Sequence, residues 1–348
     1  MTTRTLDYHQ NARDYYGRVL ETNRDLKTSA CCENAAPPAW LRPLYANLNP
    51  EIVERSYGCG SPIPAALEGC TVLDLGCGTG RDVYLAAQLV GPEGFVVGVD
   101  FTGEQLEVAR RNLDSQTERF GFPAPNVDFR EGALEDLGSL GIAPGSIDVV
   151  VSNCVLNLCP DKAAVLAEIA RVLKPGGEFY FSDVFASRRL PEELANDPDF
   201  HGECLGGAWY WEDFRRLLAR TLTPDFRIVS KSRLDLEDPR MAAVSEGINF
   251  DSATVRCFKI DSMEDRCEDY GQSVTYKGTI PRFPRVFPLD PGHRFETGRP
   301  ERVCGNSAAM VGESRFARHF EVMGDRSTHF GLFPCAPVAD HGETAGCC

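Results

Sequence analysis

Between residues 70 and 184, short apolar runs alternate with segments whose apolar residues recur every three or four positions. The short runs predict buried strands, and the periodic segments predict helices. The predicted strands are Thr71–Leu75, Phe95–Asp100, Val127–Glu131, Ile147–Asn153 and Gly177–Asp183, and the predicted helices are Arg81–Leu89, Gly103–Phe120 and Lys162–Leu173. This alternation is typical of an α/β fold, a doubly wound and mostly parallel sheet with helices on both faces.

The first predicted strand ends in a glycine-rich loop, Asp74-Leu75-Gly76-Cys77-Gly78-Thr79-Gly80. Glycine tolerates a left-handed backbone, and without a Cβ it lets a ligand lie against backbone N–H groups. Asp100 ends the second predicted strand about 20 residues later, where such folds often hold a ribose hydroxyl. Because position 81 is Arg, the spacing is G-x-G-x-G rather than the dinucleotide pattern. This spacing favours S-adenosylmethionine, which has no pyrophosphate to place at the helix end.

The carboxyl ends of the predicted strands define one crevice. In open α/β sheets, ligands bind beyond these ends. The rule places Asp74, Asp100, the segment Gly132-Ala133-Leu134 and Asn153 around the crevice, and Gln105 follows closely enough to contact adenine or ribose. The predicted cofactor contacts are Asp74, Gly76, Gly78, Gly80, Asp100, Phe101, Gln105, Ala133, Leu134, Asn153 and Val155.

Composition narrows the class of protein. The net charge of −15 argues against a nucleic-acid-binding surface, which needs clustered Lys and Arg. No apolar run reaches membrane length, and the first residues lack the apolar core of a secretory leader. We therefore expect a cytoplasmic enzyme, a monomer that acts on a small molecule and has neither nucleic acid nor membrane as a partner.

The 14 cysteines are unusual for such a chain. In a leaderless protein of this length they indicate metal binding, redox chemistry or reactive thiols, and no pair has the C-x-x-C spacing of a zinc ribbon. Cys154 directly follows the fourth predicted strand, at the ligand edge of the sheet. Cys59 and Cys204 each lie in a loop flanked by glycine, which would let a bound atom approach the sulfur.

As a set, several stretches resemble the arsenite S-adenosylmethionine methyltransferases, a class I methyltransferase family with a Rossmann-like sheet. The stretches are Lys27-Thr28-Ser29-Ala30-Cys31, Tyr57-Gly58-Cys59-Gly60, Asp74 to Gly80, Val151 to Leu158 and Gly202 to Ala208. The likeness runs from about residue 5 to at least residue 220, and more loosely through Ser314-Arg315-Phe316-Ala317. Other class I methyltransferases share the glycine loop, but not the four cysteines in these contexts.

The resemblance implies which residues act. Cys154 and Cys204 would bind trivalent arsenic, with Cys59 as a third ligand. Cys31 matches the remaining functional cysteine, although the neighbouring Cys32 could serve instead. The predicted catalytic residues are thus Cys31, Cys59, Cys154 and Cys204, and the resemblance places Tyr57 near the sulfonium of the cofactor.

The chemistry implied by the family suits these residues. Thiolate is the soft side-chain ligand, and trivalent arsenic is soft. Three thiolates would leave arsenic with a lone pair that attacks the sulfonium methyl in line, so no general base is needed. The resemblance further implies that enzyme thiols reduce the pentavalent product, leaving a disulfide between Cys31 and Cys59 that thioredoxin or glutathione resets. The products would be methyl- and dimethylarsenicals, and the role would be arsenic detoxification.

The expected organisation has five segments. Residues 1–69 form an N-terminal helical cap, 70–187 the cofactor-binding domain and 188–240 an arsenic-binding segment. Residues 241–333 form a smaller C-terminal α+β domain, and 334–348 a disordered tail with cysteines. The strands predicted for the C-terminal unit are Phe226–Leu236, Ala253–Ile260, Ser273–Thr279 and Phe295–Glu296, and residues 305–322 are predicted to be mostly helix.

The residues leave two other functions open. One is a class I methyltransferase acting on a small organic thiol, oxygen or carbon acceptor, in which the cysteines only pack. That function predicts that Cys154→Ser or Cys204→Ser keeps methylation. The other is a protein that sequesters arsenic or a heavy metal without catalysis, and the intact loop from Asp74 to Gly80 counts against it.

Overall fold

The computed structural model describes residues 37–236 and 238–334. The predictions for Cys31, Cys32, Cys347 and Cys348, and for the tail from residue 335 onward, lie outside the described residues. Within the described ranges, none of the helices combines the length and the apolar character needed to cross a bilayer.

The main sheet confirms the predicted class I α/β fold. Its strands are β1 Thr71–Leu75, β2 Phe95–Asp100, β3 Val127–Glu131, β4 Ile147–Asn153, β5 Leu173–Ala186, β6 Trp209–Tyr210, β7 Phe226–Arg233 and β8 Phe250–Phe258. The order is β3-β2-β1-β4-β5-β8-β7, with β6 paired to the end of β5. Strands β1 to β5 are parallel, whereas β8 runs antiparallel to both β5 and β7.

Helices cover both faces of this sheet. They are α1 Arg42–Tyr45, α2 Pro50–Glu54, α3 Arg81–Val90, α4 Gly103–Arg111, α5 Leu113–Phe120, α6 Lys162–Val172, α7 Glu192–Ala195, α8 Pro198–Gly202, α9 Trp211–Thr221, α10 Pro239–Val244 and α11 Gly305–Gly312. The helix predicted over residues 103–120 is divided at Asn112, whose Nδ2 donates to the carbonyl of Val108 at 2.9 Å. A side chain that bonds its own backbone competes with helical hydrogen bonds and favours such breaks.

The alternation of side chains along the strands separates two hydrophobic cores. Val72 on β1 packs with the apolar face of α3, and the short helices α1 and α2 add to the same core. Leu73, the next residue, points to the opposite core, which contains Val165 and Ile169 of α6 and Phe214 of α9. Since neighbouring strand residues face opposite sides, the continuous apolar run of β1 indicated burial on both faces, as observed.

Two strands predicted for the C-terminal unit belong to the main sheet instead. Strand β8 pairs with β5 from Glu178↔Phe258 to Ala186↔Phe250, and β7 pairs with the other edge of β8. The prediction that they form a separate unit was therefore wrong. All nine residues of β8 are buried, which fits a strand in the interior of a sheet. Sequence order gave no sign that a distant segment inserts beside β5.

The smaller C-terminal unit packs on its own core. It contains β9 Ser273–Tyr276, β12 Pro300–Arg302 and β13 Phe320–Met323 in one sheet, and the hairpin β10 Val286–Asp290 with β11 His293–Glu296. The helix predicted over residues 305–322 was wrong beyond Gly312, because a 3-10 turn at Ala317–His319 leads into β13. Phe320 is buried and its ring lies 5.0 Å from that of Tyr276, which holds this strand on β9.

Buried charges join the two units. Arg315 of the C-terminal unit forms an ion pair with Glu178 on β5, and Glu178 also binds Arg256 on β8 at 2.7 Å. Arg315 donates in addition to the carbonyls of Ala65 and Ala66, at 2.9 and 3.0 Å. Bidentate guanidinium contacts of this kind fix orientation, so the C-terminal unit is anchored to the segment that precedes β1.

Candidate active site: a cofactor crevice beside converging thiols

A cavity of about 790 Å³ lies at the carboxyl ends of β1, β2 and β4. This volume includes the open mouth of the cavity. The predicted cofactor contacts that line it are Tyr57, Asp74, Gly76, Gly78, Asp100, Phe101, Gln105, Leu134, Asn153 and Val155. Of the predicted contacts, Gly80 and Ala133 are outside the lining, while the predicted catalytic residue Cys154 is part of it.

The glycine loop shapes the floor of the cavity. Gly76 has φ +72°, and a Cβ there would lie 2.3 Å from a methyl carbon of Val155, so only glycine fits. At Gly78, φ is +51° and a Cβ would meet only Gln105 at 3.9 Å, which leaves the backbone open toward a ligand. Gly80, with φ +85°, is the residue from which α3 starts. It therefore shapes the loop without lining the cavity.

Two buried acids flank this loop. The carboxylate of Asp100 accepts hydrogen bonds from the backbone N–H groups of Gly78 and Thr102, both at 2.8 Å, so it holds the loop against β2. Asp74 is 2% exposed, and its Oδ2 has no hydrogen-bond partner among the described residues. Burial and the nearby charge of Asp82 raise the pKa of Asp74 well above its usual value. Buried acceptors are normally satisfied, so Asp74 is suited to a donor supplied by a ligand.

Sequence reasoning missed other lining residues. Arg81 and Asp82 form an ion pair beneath the cavity, with Nε to Oδ1 at 3.0 Å and both side chains nearly buried. Because they directly follow the glycine loop, the strand-end rule could have predicted that Arg81 and Asp82 line the cavity. Arg55 and Ser56 also line the cavity, but the sequence carries no pattern that shows how the segment after α2 folds back over it.

Asn153 connects the cavity to the segment that carries Cys59. Its Oδ1 accepts from the backbone N–H of Cys59 at 3.1 Å, and its Nδ2 donates to Gly60 O and to Asp82 Oδ2, both at 2.8 Å. A Cβ at Gly58 would lie 2.7 Å from the Asn153 side chain, so the segment approaches as closely as a glycine allows. The Asn153 side chain thus fixes the distance between the cofactor crevice and the Cys59 loop.

Three predicted arsenic ligands come together beside the cavity. Cys59 and Cys154 form a disulfide, with their Cα atoms 5.8 Å apart. The thiol of Cys204 donates to the carbonyl of Cys154 at 3.2 Å and is fully buried. The resemblance implies a Cys31–Cys59 disulfide after methyl transfer, and that pairing stays a prediction. Cys31 itself lies outside the described residues.

The backbone at two of these cysteines is unusual. Cys154 has φ +56° and Cys204 has φ +61°. A left-handed backbone is uncommon for residues other than glycine and is found preferentially at functional sites. Cys154 is followed by a 3-10 turn, Leu156–Leu158, and Cys204 by the turn residues Leu205, Gly206 and Gly207. The surrounding contacts must hold both turns in this conformation.

Buried titratable groups surround the thiols. A carboxylate oxygen of Asp183, at the end of β5, lies within 4.8 Å of the Sγ atoms of Cys59 and Cys154. Burial raises the pKa of Asp183 to about 7 and lowers that of Lys162 to about 8. Burial and, to a lesser extent, the charge of Lys162 lower the pKa of His201 to about 4, so this imidazole is neutral at pH 7. Sequence reasoning singled out none of the three.

Three further cysteines lie in surroundings that disfavour the thiolate. Burial raises the pKa of the thiols of Cys77, Cys159 and Cys257 well above the usual value. These thiols therefore stay protonated at neutral pH, and a protonated thiol is a poor nucleophile and a poor metal ligand. Their environment suits packing rather than reaction.

Comparisons with known proteins agree with the site. A family model described as "Methyltransferase domain" matches residues 66–221, and one described as "Arsenite methyltransferase C-terminal domain" matches residues 270–338. An arsenite methyltransferase of Aquipseudomonas alcaligenes is 54% identical over 325 residues, which is 93% of each chain. That of Mus musculus is 42% identical over 317 residues, 90% of this chain and 83% of the relative.

A solved structure extends the likeness to the fold. The crystal structure of an arsenic(III) S-adenosylmethionine methyltransferase from Chlamydomonas reinhardtii is 47% identical to this chain and superposes with a TM-score of 0.83. The match covers 86% of this chain and all of that structure. The predicted resemblance is confirmed, and the chain belongs to the arsenite methyltransferase family of S-adenosylmethionine-dependent enzymes.

Proposed function

We propose that this enzyme methylates trivalent arsenic while the thiolates of Cys59, Cys154 and Cys204 hold the substrate. The observation that carries the proposal is the convergence of these three residues beside the crevice. Cys154 lines the cavity, its sulfur is bonded to that of Cys59, and the Cys204 thiol reaches the Cys154 carbonyl at 3.2 Å. Arsenic bound to this set would face the crevice.

The crevice has the features expected of an S-adenosylmethionine site. The unpaired Oδ2 of Asp74 could accept a hydrogen bond from the ligand's ammonium group, and the open backbone at Gly78 leaves room for the ligand. Tyr57, Phe101 and Leu134 provide apolar walls. When bound, S-adenosylmethionine supplies a methyl carbon that an arsenic lone pair can attack directly, so no general base is required. The residues' task is positioning and exclusion of water.

Arsenic binding would be an exchange of ligands. Each enzyme thiol displaces one arsenic-bound hydroxyl, its proton leaves with that hydroxyl as water, and one As–S bond replaces one As–O bond. Three such exchanges use three thiols and release three waters. No proton is released overall, so the equilibrium affinity for arsenite should change little with pH below the ordinary thiol pKa of about 8.5. The thiolate is the attacking form, so the rate of arsenite binding should rise with pH toward that value.

A thiol reductant is required on two grounds. Cys59 and Cys154 cannot bind arsenic while they form a disulfide, so reduction must come first. A thiolate of thioredoxin or glutathione attacks one sulfur, and a second thiol then displaces the mixed disulfide, which leaves two enzyme thiols. Methylation makes arsenic formally pentavalent, and two enzyme thiols can return it to the trivalent state as they form a disulfide. Cys31 would contribute to this step, and the pathway would detoxify arsenic as methyl- and dimethylarsenicals.

The test is a time course with purified enzyme, arsenite, S-adenosylmethionine and a dithiol, with arsenic species separated by chromatography. The wild-type protein should produce methylated arsenic. Cys154→Ser and Cys204→Ser should produce none above background, while Cys70→Ala, a buried cysteine that precedes β1 at the far end of the sheet, should match wild type. Methylation that persists in both serine variants would overturn the proposed ligand set, and absence of methylated arsenic with wild type would overturn the function.

A further inference from the structure

Two buried polar side chains lie between the turn that carries Cys154 and the turn that carries Cys204. Asn157 is 1% exposed, and its Nδ2 donates to the carbonyls of Val184 at 2.8 Å and of Cys204 at 3.2 Å. The hydrogen bond to Cys204 is a direct link from one turn to the other. Neither the cofactor crevice nor the arsenic chemistry described above uses Asn157.

Lys162, the first residue of α6, makes a second link. Its ammonium donates to the carbonyl of Gly207 and to Oδ1 of Asn157 at 3.4 Å, and it lies 4.3 Å from the centre of the Trp209 ring. A Cβ at Gly207 would come within 1.8 Å of the Asn157 carbonyl oxygen. The two turns are thus in backbone contact, and Lys162 ties the far end of the Cys204 turn to the same side chain.

The carboxylate of Asp183 holds the backbone at Asn157 in place. Its two carboxylate oxygens accept from the backbone N–H groups of Val184 at 2.9 Å and of Asn157 at 3.2 Å. The end of β5 therefore fixes the backbone of Asn157, and Asn157 in turn contacts Cys204. Each link in this series is a hydrogen bond between buried groups, which is costly to leave unmade.

The left-handed conformations of Cys154 and Cys204 explain why such support is needed. Non-glycine residues persist in this region only when the surrounding structure holds them there. Backbone hydrogen bonds to His201 and Phe200 also hold the Cys204 turn. Loss of the link to Asn157 would weaken this support, and relaxation toward an ordinary backbone conformation would move the sulfur. An arsenic site with three sulfur ligands needs all three held at once.

We propose that Asn157 and Lys162 are positioning residues that hold the Cys204 turn against the Cys154 turn, so that arsenic is bound by three thiols rather than two. This inference rests on the proposed ligand set. It assigns a role to two side chains that touch neither substrate nor cofactor and act through the backbone of the Cys204 turn.

The test compares two matched variants of the reduced full-length protein, with arsenite alone as the probe. Asn157→Ala removes the link, whereas Asn126→Ala removes another buried amide, which donates to the carbonyls of Ala87 and Gly91 at the opposite end of the sheet. Arsenite affinity is measured by calorimetry, and the number of sulfur neighbours of arsenic by X-ray absorption. Asn157→Ala should lose about tenfold or more in affinity and show two sulfurs, while Asn126→Ala keeps three.

Lys162 provides a second pair in case Asn157→Ala does not fold. Lys162→Met removes the donor and keeps most of the side-chain length, and Lys162→Gln has the same length as Met with an uncharged N–H donor at its end. The inference expects weakened arsenite binding with Met and clearly tighter binding with Gln than with Met. In all four variants S-adenosylmethionine affinity should stay unchanged, because the cofactor crevice does not include these residues.

The outcomes separate the two proposals. If wild-type protein shows no sulfur around arsenic, the proposed ligand set fails and the positioning role falls with it. If wild-type protein and Asn157→Ala both show three sulfurs with equal affinity, the ligand set stands and the positioning role is overturned. Equal loss in Lys162→Met and Lys162→Gln would also overturn it, since the charge rather than the hydrogen bond would then matter.

Discussion

The cofactor crevice and the thiol site lie side by side but are assembled in different ways. Most of the crevice comes from strand ends and the loops that follow them, as in the segment from Asp74 to Asp82, which supplies seven lining residues. The thiol site collects Cys59, Cys154 and Cys204 from three turns, and its disulfide spans 95 residues. The crevice is therefore fixed by local backbone geometry, whereas the thiol site depends on tertiary contacts that hold separate turns together.

Gly76→Ala should have the largest effect, and only on the crevice. The substitution combines φ +72° with a Cβ that would lie 2.3 Å from Val155. Strain and overpacking of about 1–3 kcal/mol each predict at least about a thirtyfold loss of S-adenosylmethionine affinity by calorimetry. Arsenite binding should remain. Gly69→Ala, also at positive φ but with nothing within 4 Å of the added Cβ, controls for backbone strain alone. Equal losses in the two variants would show that the contact with Val155 does not matter.

The thiol site should respond differently to its two substrates. Cys59→Ser and Cys31→Ser should each slow the methylation of arsenite more than the methylation of methylarsenite, by about tenfold or more. The reason is that methylarsenite has one fewer position for a thiol ligand. Cofactor affinity should stay at the wild-type value, in contrast to Gly76→Ala. Rates on both arsenicals are measured with the same dithiol. An equal loss on the two substrates would argue against separate roles for these cysteines.

This contrast also explains what the sequence could reveal. The bounds of β1 to β4 and nine of the cavity-lining residues followed from hydrophobic pattern, glycine spacing and the strand-end rule, all of which act over short distances. Cys59, Cys154 and Cys204 were singled out one by one, from a strand end and from glycine-flanked loops. Only the resemblance joined them into one site, because no spacing rule connects them. Asn157 and Lys162 were missed since their partners are carbonyls of a turn some 45 residues away or more. The insertion of β8 beside β5 was missed for the same reason.

Asp74→Asn tests the crevice more gently. The amide has nearly the same shape, but it lacks the negative charge that a ligand ammonium would pair with. We expect S-adenosylmethionine affinity to fall by about tenfold, the usual cost of one charge-assisted hydrogen bond. The raised pKa of Asp74 also predicts the direction in which cofactor affinity changes with pH. In wild type, affinity should decrease as pH falls and this carboxylate is protonated, and in Asp74→Asn that decrease should be weaker. The affinity is measured by calorimetry without arsenite, so that titration of the arsenic-binding thiols does not contribute. The same pH dependence in wild type and Asp74→Asn would contradict the role of Asp74 as the partner of the ligand's ammonium group.

The smallest predicted effect is the contribution of His201, next to the Cys204 turn, to the pH dependence of the free energy of unfolding. Its pKa is about 4 in the folded protein, against an ordinary value of 6.5. The unfolded chain therefore binds a proton that the folded protein rejects, so stability falls as pH drops below about 6.5. Between pH 7 and 5.5 this group should account for a loss of about 1 kcal/mol in the free energy of unfolding.

Urea unfolding at the two pH values measures this loss. His201→Gln should reduce the pH dependence by about 1 kcal/mol. Asn126→Ala, which removes a buried amide and no titratable group, should keep the wild-type pH dependence. If both variants keep the wild-type slope, His201 is protonated in the folded protein, and the thiol region is then more open to water than its buried imidazole, lysine and carboxylate indicate. A reduced slope in His201→Gln alone would show that the imidazole beside the Cys204 turn stays neutral because it is buried, which is the water-poor environment that a three-thiol arsenic site requires.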